Sequence, residues 1–251
     1  MSERLVVVTG GGSGIGYATG VVLMQEGWHV ALVDRDASAL AEAGSRHAGE
    51  PLSTHVLDVT DADAVSTFFA GLGQGPRLSA LVNSAGIAES TDFLTTSAER
   101  FRAVLDVNVI GAFRMCQAAA AIMVEDGTDG AIVNITSGSG LRANGGRTAY
   151  GASKAALEMM SKVMAGELAR HGIRVNTVAP GPIETPLVTK LHTPEFRKRT
   201  LAVVPHRRYG RPDEIGQAVA FLLDADRSGY ISGHTLSVDG GAYAAGVFDA
   251  P

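Results

Sequence analysis

A short apolar strand that runs straight into glycines limits this chain more than any other feature. Leu5-Val6-Val7-Val8 is followed by Thr9-Gly10-Gly11-Gly12-Ser13-Gly14-Ile15-Gly16, and a helical pattern begins near Tyr17. Strand, glycine loop, helix is the order that cradles a phosphate. Glycines let the backbone approach closely and take positive φ, while the N–H groups and dipole at the helix N-terminus favour an anion. The spacing is T-G-x-x-x-G-x-G, carried by Thr9, Gly10, Gly14 and Gly16, and it departs from strict G-x-G-x-x-G.

The partner this loop needs is a second strand over residues 28–33, ending in Asp34 about twenty residues downstream. A carboxylate there accepts hydrogen bonds from ribose hydroxyls and repels a 2′-phosphate, so NAD is expected in preference to NADP. Arg35, the next residue, pulls the other way. Asp34 could equally serve as the cap of a helix that starts near Ala37.

Beyond Asp34, strand and helix keep alternating. Apolar strands are read over Arg4–Thr9, 28–33, 52–58, Arg77–Asn83, 131–136, 173–179 and Thr235–Val238. Helices are read over 61–71, 98–124, 149–170 and Pro212–Leu223. This rhythm predicts one α/β domain spanning residues 1–251: a Rossmann-like, doubly wound, seven-stranded parallel sheet with helices on both faces. A hydrophobic content of 45% over 251 residues suits such a core. Ligands of these sheets bind beyond the carboxyl ends of the strands, where Thr9, Asp34, Asp58, Asn83 and Ser137 all fall. Residues 187–211 lose sheet periodicity and turn basic, which reads as a substrate lid. A basic lid would suit an anionic substrate, and a solvated charged face is the simpler alternative.

Proton chemistry is suggested by Thr148-Ala149-Tyr150-Gly151-Ala152-Ser153-Lys154. Tyr150 and Lys154 share a helix face at this spacing, and an ammonium beside a phenol favours the phenolate, bringing acid/base exchange nearer neutral pH. The pair alone is common on solvated helices. Asn108 is polar within an apolar run and must find hydrogen-bond partners, the bland reading being a tie to a neighbouring backbone. Cys116, the one cysteine, reads as a buried inert thiol. The helix over 149–170 carries an apolar stripe wider than one sheet face uses, which implies a homo-oligomer.

Other classes are disfavoured. A formal net charge of −5, without Lys/Arg runs interleaved with aromatics, argues against nucleic acid and anionic membranes. The apolar run near residue 5 is too short for a signal or a membrane span, so a cytoplasmic protein is expected. The seven histidines show no metal-ligand spacing, and no metal is expected.

Taken together, these segments resemble the classical short-chain dehydrogenase/reductase family, from Leu5 to about Gly241. The resemblance implies that Gly10, Ser13, Gly14, Ile15 and Gly16 form the cofactor loop, that Asp34 and Arg35 meet the adenosine ribose, and that Asp58 and Val59 meet the adenine. Asn83-Ser84-Ala85-Gly86 stands where the family has N-N-A-G, so Asn83, Ala85 and Gly86 are expected at the cofactor. Pro180, Gly181, Ile183 and Thr185 resemble the segment that holds the nicotinamide carboxamide. Asn108, Ser137, Tyr150 and Lys154 match the catalytic tetrad: Ser137 bonding the substrate oxygen, Tyr150 moving the proton, Lys154 lowering the tyrosine pKa and gripping the nicotinamide ribose, and Asn108 holding a water. Arg142, Asn144, Arg147, Glu184 and His192 are expected to line the substrate pocket. The implied function is hydride transfer between NAD and a secondary alcohol or ketone of a small polar substrate, by an oligomer for which the family favours a tetramer. A 3-oxoacyl thioester reductase and a noncatalytic nucleotide sensor are the alternatives.

Overall fold

The computed structural model describes residues 4–72 and 75–243. Strands β1 (Arg4–Thr9), β2 (His29–Asp34), β3 (Leu52–Val56), β4 (Arg77–Asn83), β5 (Ala131–Ile135), β6 (Arg174–Pro180) and β7 (Thr235–Val238) form one sheet. All neighbours pair in parallel, in the order β3-β2-β1-β4-β5-β6-β7. Strand order reverses between β1 and β4. Connections on either side of that point leave toward opposite faces, so a crevice opens at the carboxyl ends of these two strands.

The helices are α1 (Gly14–Gln25), α2 (Ala37–Arg46), α3 (Ala62–Ala70), α4 (Ala98–Leu105), α5 (Ala112–Glu125), α6 (Gly138–Leu141), α7 (Thr148–Leu168), α8 (Pro186–Leu191), α9 (Pro194–Val203), α10 (Pro212–Leu223) and α11 (Ala225–Ser228). The central strand explains the double winding. Side chains alternate along it, so Val6 and Val8 enter one core with Leu23 of α1, Leu40 of α2 and Ile215 of α10. Leu5 and Val7 enter the other, with Phe69 of α3 and with Met115 and Met123 of α5. A strand covered on both faces has no polar side to show, which is why Leu5 to Val8 read as an unbroken apolar run.

Several boundaries differ from expectation in ways that matter for the site. The helical stretch read over 98–124 is three pieces: α4, a π-helical turn Asp106–Gly111, and α5. A π turn adds one residue to the ladder while the chain stays helical on both sides, so a single helix is read through it. Asn108 lies in this turn, fully buried. By length and composition Ala98–Glu125 could cross a membrane. Its buried face, with Met115, Cys116, Ala119 and Met123, is instead spent on the core of the sheet. β3 stops at Val56, leaving Asp58 in a turn where its Oδ1 accepts from the Thr60 amide and hydroxyl.

The cap of α2 is Asp36, which accepts from the amides of Ser38 and Ala39. Asp34 is thereby free of that duty. Residues 187–211 fold into α8, α9 and a turn. Each of those two helices starts at a Thr-Pro step, with Thr185 and Thr193 capping through their hydroxyls and proline at the first position. Part of the expected basic charge is paired locally: Arg197 with Glu184, Arg208 with Glu214 and Arg211 with Asp213. The first residues of the segment, Leu187, Val188 and Lys190, reach the cavity at the sheet edge.

Candidate active site

The carboxyl edge of the sheet holds a cavity of about 470 Å³. One end is built by the glycine loop. Gly10 and Gly14 take positive φ, and a Cβ on Gly16 would stand 2.1 Å from the Gly10 carbonyl oxygen. No side chain larger than hydrogen fits there, so the loop lies flat and the first turn of α1 faces the cavity. Ser13, at the N-cap of α1, makes no side-chain cap, and the first turn carries no acidic residue. The backbone amides of this first turn are therefore left to a ligand, and no carboxylate within the turn itself opposes an anion. Thr9 ties the loop down: its hydroxyl oxygen accepts from the amides of Ser84 and Ala85, each at 3.1 Å.

Asp34 is fixed at the next station. Its Oδ2 accepts from the Gly12 amide and its Oδ1 from the Asp36 amide, both at 3.0 Å. Gly10, Ser13, Gly14, Ile15, Gly16, Asp34, Arg35, Asp58, Val59, Ala85, Gly86, Pro180, Gly181, Ile183 and Thr185 all line this one cavity, as do Ser137, Tyr150 and Lys154 at its far end. Hydrogen bonds from Thr60 hold the Asp58 carboxyl below its ordinary range, so it is ionised beside Arg35.

The far end is organised by α7. Tyr150 lies in its first turn and Lys154 one turn later, so both side chains return to the end of β5. Ser137 follows β5 and lines the cavity together with Tyr150. Lys154 is only 4% exposed. Its Nζ donates to the Ile135 carbonyl at 2.8 Å and stands 5.8 Å from the centre of the Tyr150 ring. Burial pulls the lysine down to about 8. The phenol is raised above its ordinary value, chiefly by burial; the Ser137 hydrogen bond and the charge of Arg147 oppose this. One donor of the Lys154 amine is spent on a backbone carbonyl, and the ammonium still stands beside the Tyr150 ring.

Asn108 is tied to a neighbouring backbone, one of the two readings its sequence position allowed. Its Oδ1 accepts from the Ile87 amide, and its Nδ2 donates to the Ile87 carbonyl and to Ser153 Oγ. Ser153 in turn donates to the carbonyl of Tyr150. Both amide hydrogens are engaged, so the side chain forms a strut between the loop after β4 and the first turn of α7. A Cβ on Gly86 would meet Asn108 Oδ1 at 3.1 Å and Lys154 Nζ at 3.5 Å, which places these two polar groups around one small space.

Asn83 lies elsewhere. Its Nδ2 donates to Asn134 Oδ1 and Cys116 Sγ, and Asn134 donates on to Ser161. Side chains alternate along β4, and this one faces the core behind the sheet edge. Among the residues of that turn, Ser84, Ala85 and Gly86 reach the cavity in its place. Cys116 is buried beside it with its thiol pushed up to about 12, inert as expected.

The expected pocket residues Arg142, Asn144, Arg147, Glu184 and His192 do not line the main cavity. Arg142 is exposed. Asn144 donates to Ser139 Oγ, and Glu184 pairs with Arg197. His192 shares a hydrogen bond with the Tyr209 hydroxyl and packs on Phe196. Arg147 lies against Tyr150. Sequence reasoning named no site role for Ser84, Ile87, Val107 and Thr136, which line the cavity, while Leu187, Val188 and Lys190, which line it too, belong to the expected lid. Most are neighbours of recognised motif residues at strand ends. The last three follow the Thr185-Pro186 step, whose start signal for a short helix was legible.

A family model described as enoyl-(acyl carrier protein) reductase matches residues 10–243. The chain is 38% identical over 245 residues to the 3-oxoacyl-[acyl-carrier-protein] reductase FabG of Thermotoga maritima, covering 96% of this chain and 98% of that one. It is 40% identical over 237 residues to the galactitol 2-dehydrogenase (L-tagatose-forming) of Cereibacter sphaeroides, covering 93% and 92%. The crystal structure of gox2181 superimposes with a TM-score of 0.92 at 35% identity, covering 96% of each chain.

Proposed function

The chain belongs to the short-chain dehydrogenase/reductase family of nicotinamide-dependent oxidoreductases acting on CH–OH groups, and on that premise we propose that it is an NAD-dependent dehydrogenase of a small polar secondary alcohol, or the reductase of the matching ketone. One observation carries this reading. The glycine loop, Asp34, Ser137, Tyr150 and Lys154 line a single cavity long enough to run from an anion-binding helix end to a proton-transfer pair.

The residues fit the dinucleotide station by station. The loop that only glycine can form leaves the backbone amides of the first turn of α1 for the pyrophosphate. Asp34, already oriented by two amides, accepts from ribose hydroxyls, and its charge disfavours a 2′-phosphate. Ile183 and Thr185, beside Pro180 and Gly181, face the nicotinamide end. When bound, the nicotinamide supplies or accepts the hydride. Ser137 holds the carbinol or carbonyl oxygen by its hydroxyl, and Tyr150 takes the proton from that oxygen or gives it back. Lys154, held dry beneath them, is available to ribose hydroxyls. Asn108 and Ser153 keep the first turn of α7 in register with the loop after β4.

A 3-oxoacyl thioester reductase is the second reading, supported by the likeness to the Thermotoga enzyme and by Arg35, a cation at the ribose end. A noncatalytic nucleotide sensor would leave the Ser137 and Tyr150 pairing without a task. Steady-state assays with NAD and NADP on secondary alcohols, sugar alcohols and 3-oxoacyl thioesters separate the three. Turnover of alcohols with NAD is expected; thioester reduction with NADPH alone would favour the second reading, and binding without turnover the third.

We further propose a single domain, a cytosolic location consistent with one buried reduced thiol, and self-association as dimers or tetramers. Self-association is supported by the outer faces of α5 and α7, where Phe113 is 44% exposed, Met159 61% and Val163 53%. These side chains extend across two adjacent helices on one face of the sheet, and a stable interface there would bury more than about 1,000 Å². Light scattering is expected to give a multiple of the chain mass, reduced by Met159→Lys combined with Val163→Lys. A wild-type monomer at working concentration would contradict this.

A further inference from the structure

Arg147 stands at the N-cap of α7, one turn before Tyr150. It makes no side-chain cap there. Its Nη1 donates to the Glu89 carbonyl at 3.2 Å, on the segment after β4, and its guanidinium carbon lies 5.7 Å from the centre of the Tyr150 ring. This is within reach of a cation–π contact, with the charge anchored by a neutral carbonyl and so not cancelled by a carboxylate at that contact.

From this geometry we infer that Arg147 is a positioning residue for the reaction, a second cation that poises the Tyr150 phenol for proton transfer while Lys154 is engaged below it. A guanidinium over the ring interacts more strongly with a phenolate, whose charge spreads into the ring, than with the neutral phenol. The division of labour follows from the two anchors. Lys154 Nζ spends one donor on the Ile135 carbonyl at the end of β5, and Arg147 is anchored on the Glu89 carbonyl after β4. Consistently, Arg147 is the cation that counteracts the effect of burial on Tyr150.

The charged and titratable groups around the phenol are few. Lys154 faces it from its own helix, Arg147 from the N-terminal end of that helix, and Tyr243 from the turn after β7, where it opposes ionisation. Glu89 meets Arg147 through its backbone carbonyl, and the Arg147 charge acts on His192, which burial already pulls down. Substituting Arg147 therefore removes one of the two cationic attractions acting on a Tyr150 phenolate.

This inference rests on the role proposed for Tyr150, so its test reads the phenol itself. Tyr150 is titrated by NMR on carbon-labelled tyrosine, its signal assigned by comparison with Tyr150→Phe, in wild type, Arg147→Gln and Arg147→Lys. Removing the charge is expected to make Tyr150 titrate about one pH unit higher. The lysine variant should return it toward wild type, and the pH at which kcat/KM for alcohol oxidation rises should move with it. An unmoved titration in Arg147→Gln, with activity lost only through KM, would make Arg147 a substrate ligand and overturn the inference. A shifted titration alongside a fully active Tyr150→Phe would uphold the electrostatic effect and instead overturn the catalytic role of the tyrosine.

Discussion

Tyr150→Phe is expected to lose turnover by about 10³-fold, within the 10²–10⁴-fold range that a positioned general acid/base supplies. The substitution removes one oxygen and leaves the ring, so the first turn of α7 keeps its packing and its Asn108–Ser153 tie. Binding of the dinucleotide should change little, because the glycine loop and Asp34 lie at the opposite end of the cavity. The variant thus separates binding from chemistry. Thermal unfolding and cofactor titration check that the site is intact; stopped-flow or steady-state rates with saturating alcohol measure the loss. A variant that binds cofactor and turns over at the wild-type rate would remove Tyr150 from the mechanism.

The second large effect concerns Asp34. Wild type is expected to favour NAD over NADP by about 10²-fold in kcat/KM, the scale of losing charged hydrogen bonds to the ribose and of placing a phosphate beside a carboxylate. Asp34→Ala should weaken NAD by about 10- to 100-fold on the same grounds and narrow or reverse the preference, since Arg35 remains at the cavity to meet a 2′-phosphate. Part of the loss will come from the Gly12 and Asp36 amides, which lose their acceptor when the carboxylate goes. Asp34→Asn, able to accept from one of those amides, keeps some of the loop geometry while removing the charge, so it isolates the repulsive component. Equal use of NAD and NADP by wild type would contradict the assignment of Asp34.

Much of this arrangement was legible before the structure. The unbroken apolar strands implied a sheet covered on both faces, and the glycine loop before an apolar helix located its ligand edge. Residues whose role follows from chain direction, such as Gly14, Asp34, Ser137 and Tyr150, came out on the cavity because strand ends and helix starts determine where they point. What periodicity cannot carry was missed. Asn83 occupies the edge of β4, but its side chain alternates into the core to meet Asn134 and Cys116. The π turn at Asn108 has helix on both sides, so a single helix was read through it and the strut it forms with Ser153 stayed hidden. The five expected pocket residues depended on how loops fold back over the site, which is fixed by contacts remote in sequence, such as Arg147 on Glu89 and Glu184 on Arg197. The breaks within 187–211 were signalled by two Thr-Pro steps, a local cue that a sheet-periodicity reading passes over.

The central claim is that one cavity moves a hydride between a carbinol carbon and a nicotinamide while Tyr150 moves the proton. Its most direct test uses secondary alcohols carrying deuterium on the carbinol carbon, with NAD as acceptor and mass spectrometry of the recovered dinucleotide. Deuterium is expected in the reduced nicotinamide ring with wild type and almost none with Tyr150→Phe. Bound but never reduced cofactor across the whole alcohol panel, or reduced cofactor without the label, would contradict it.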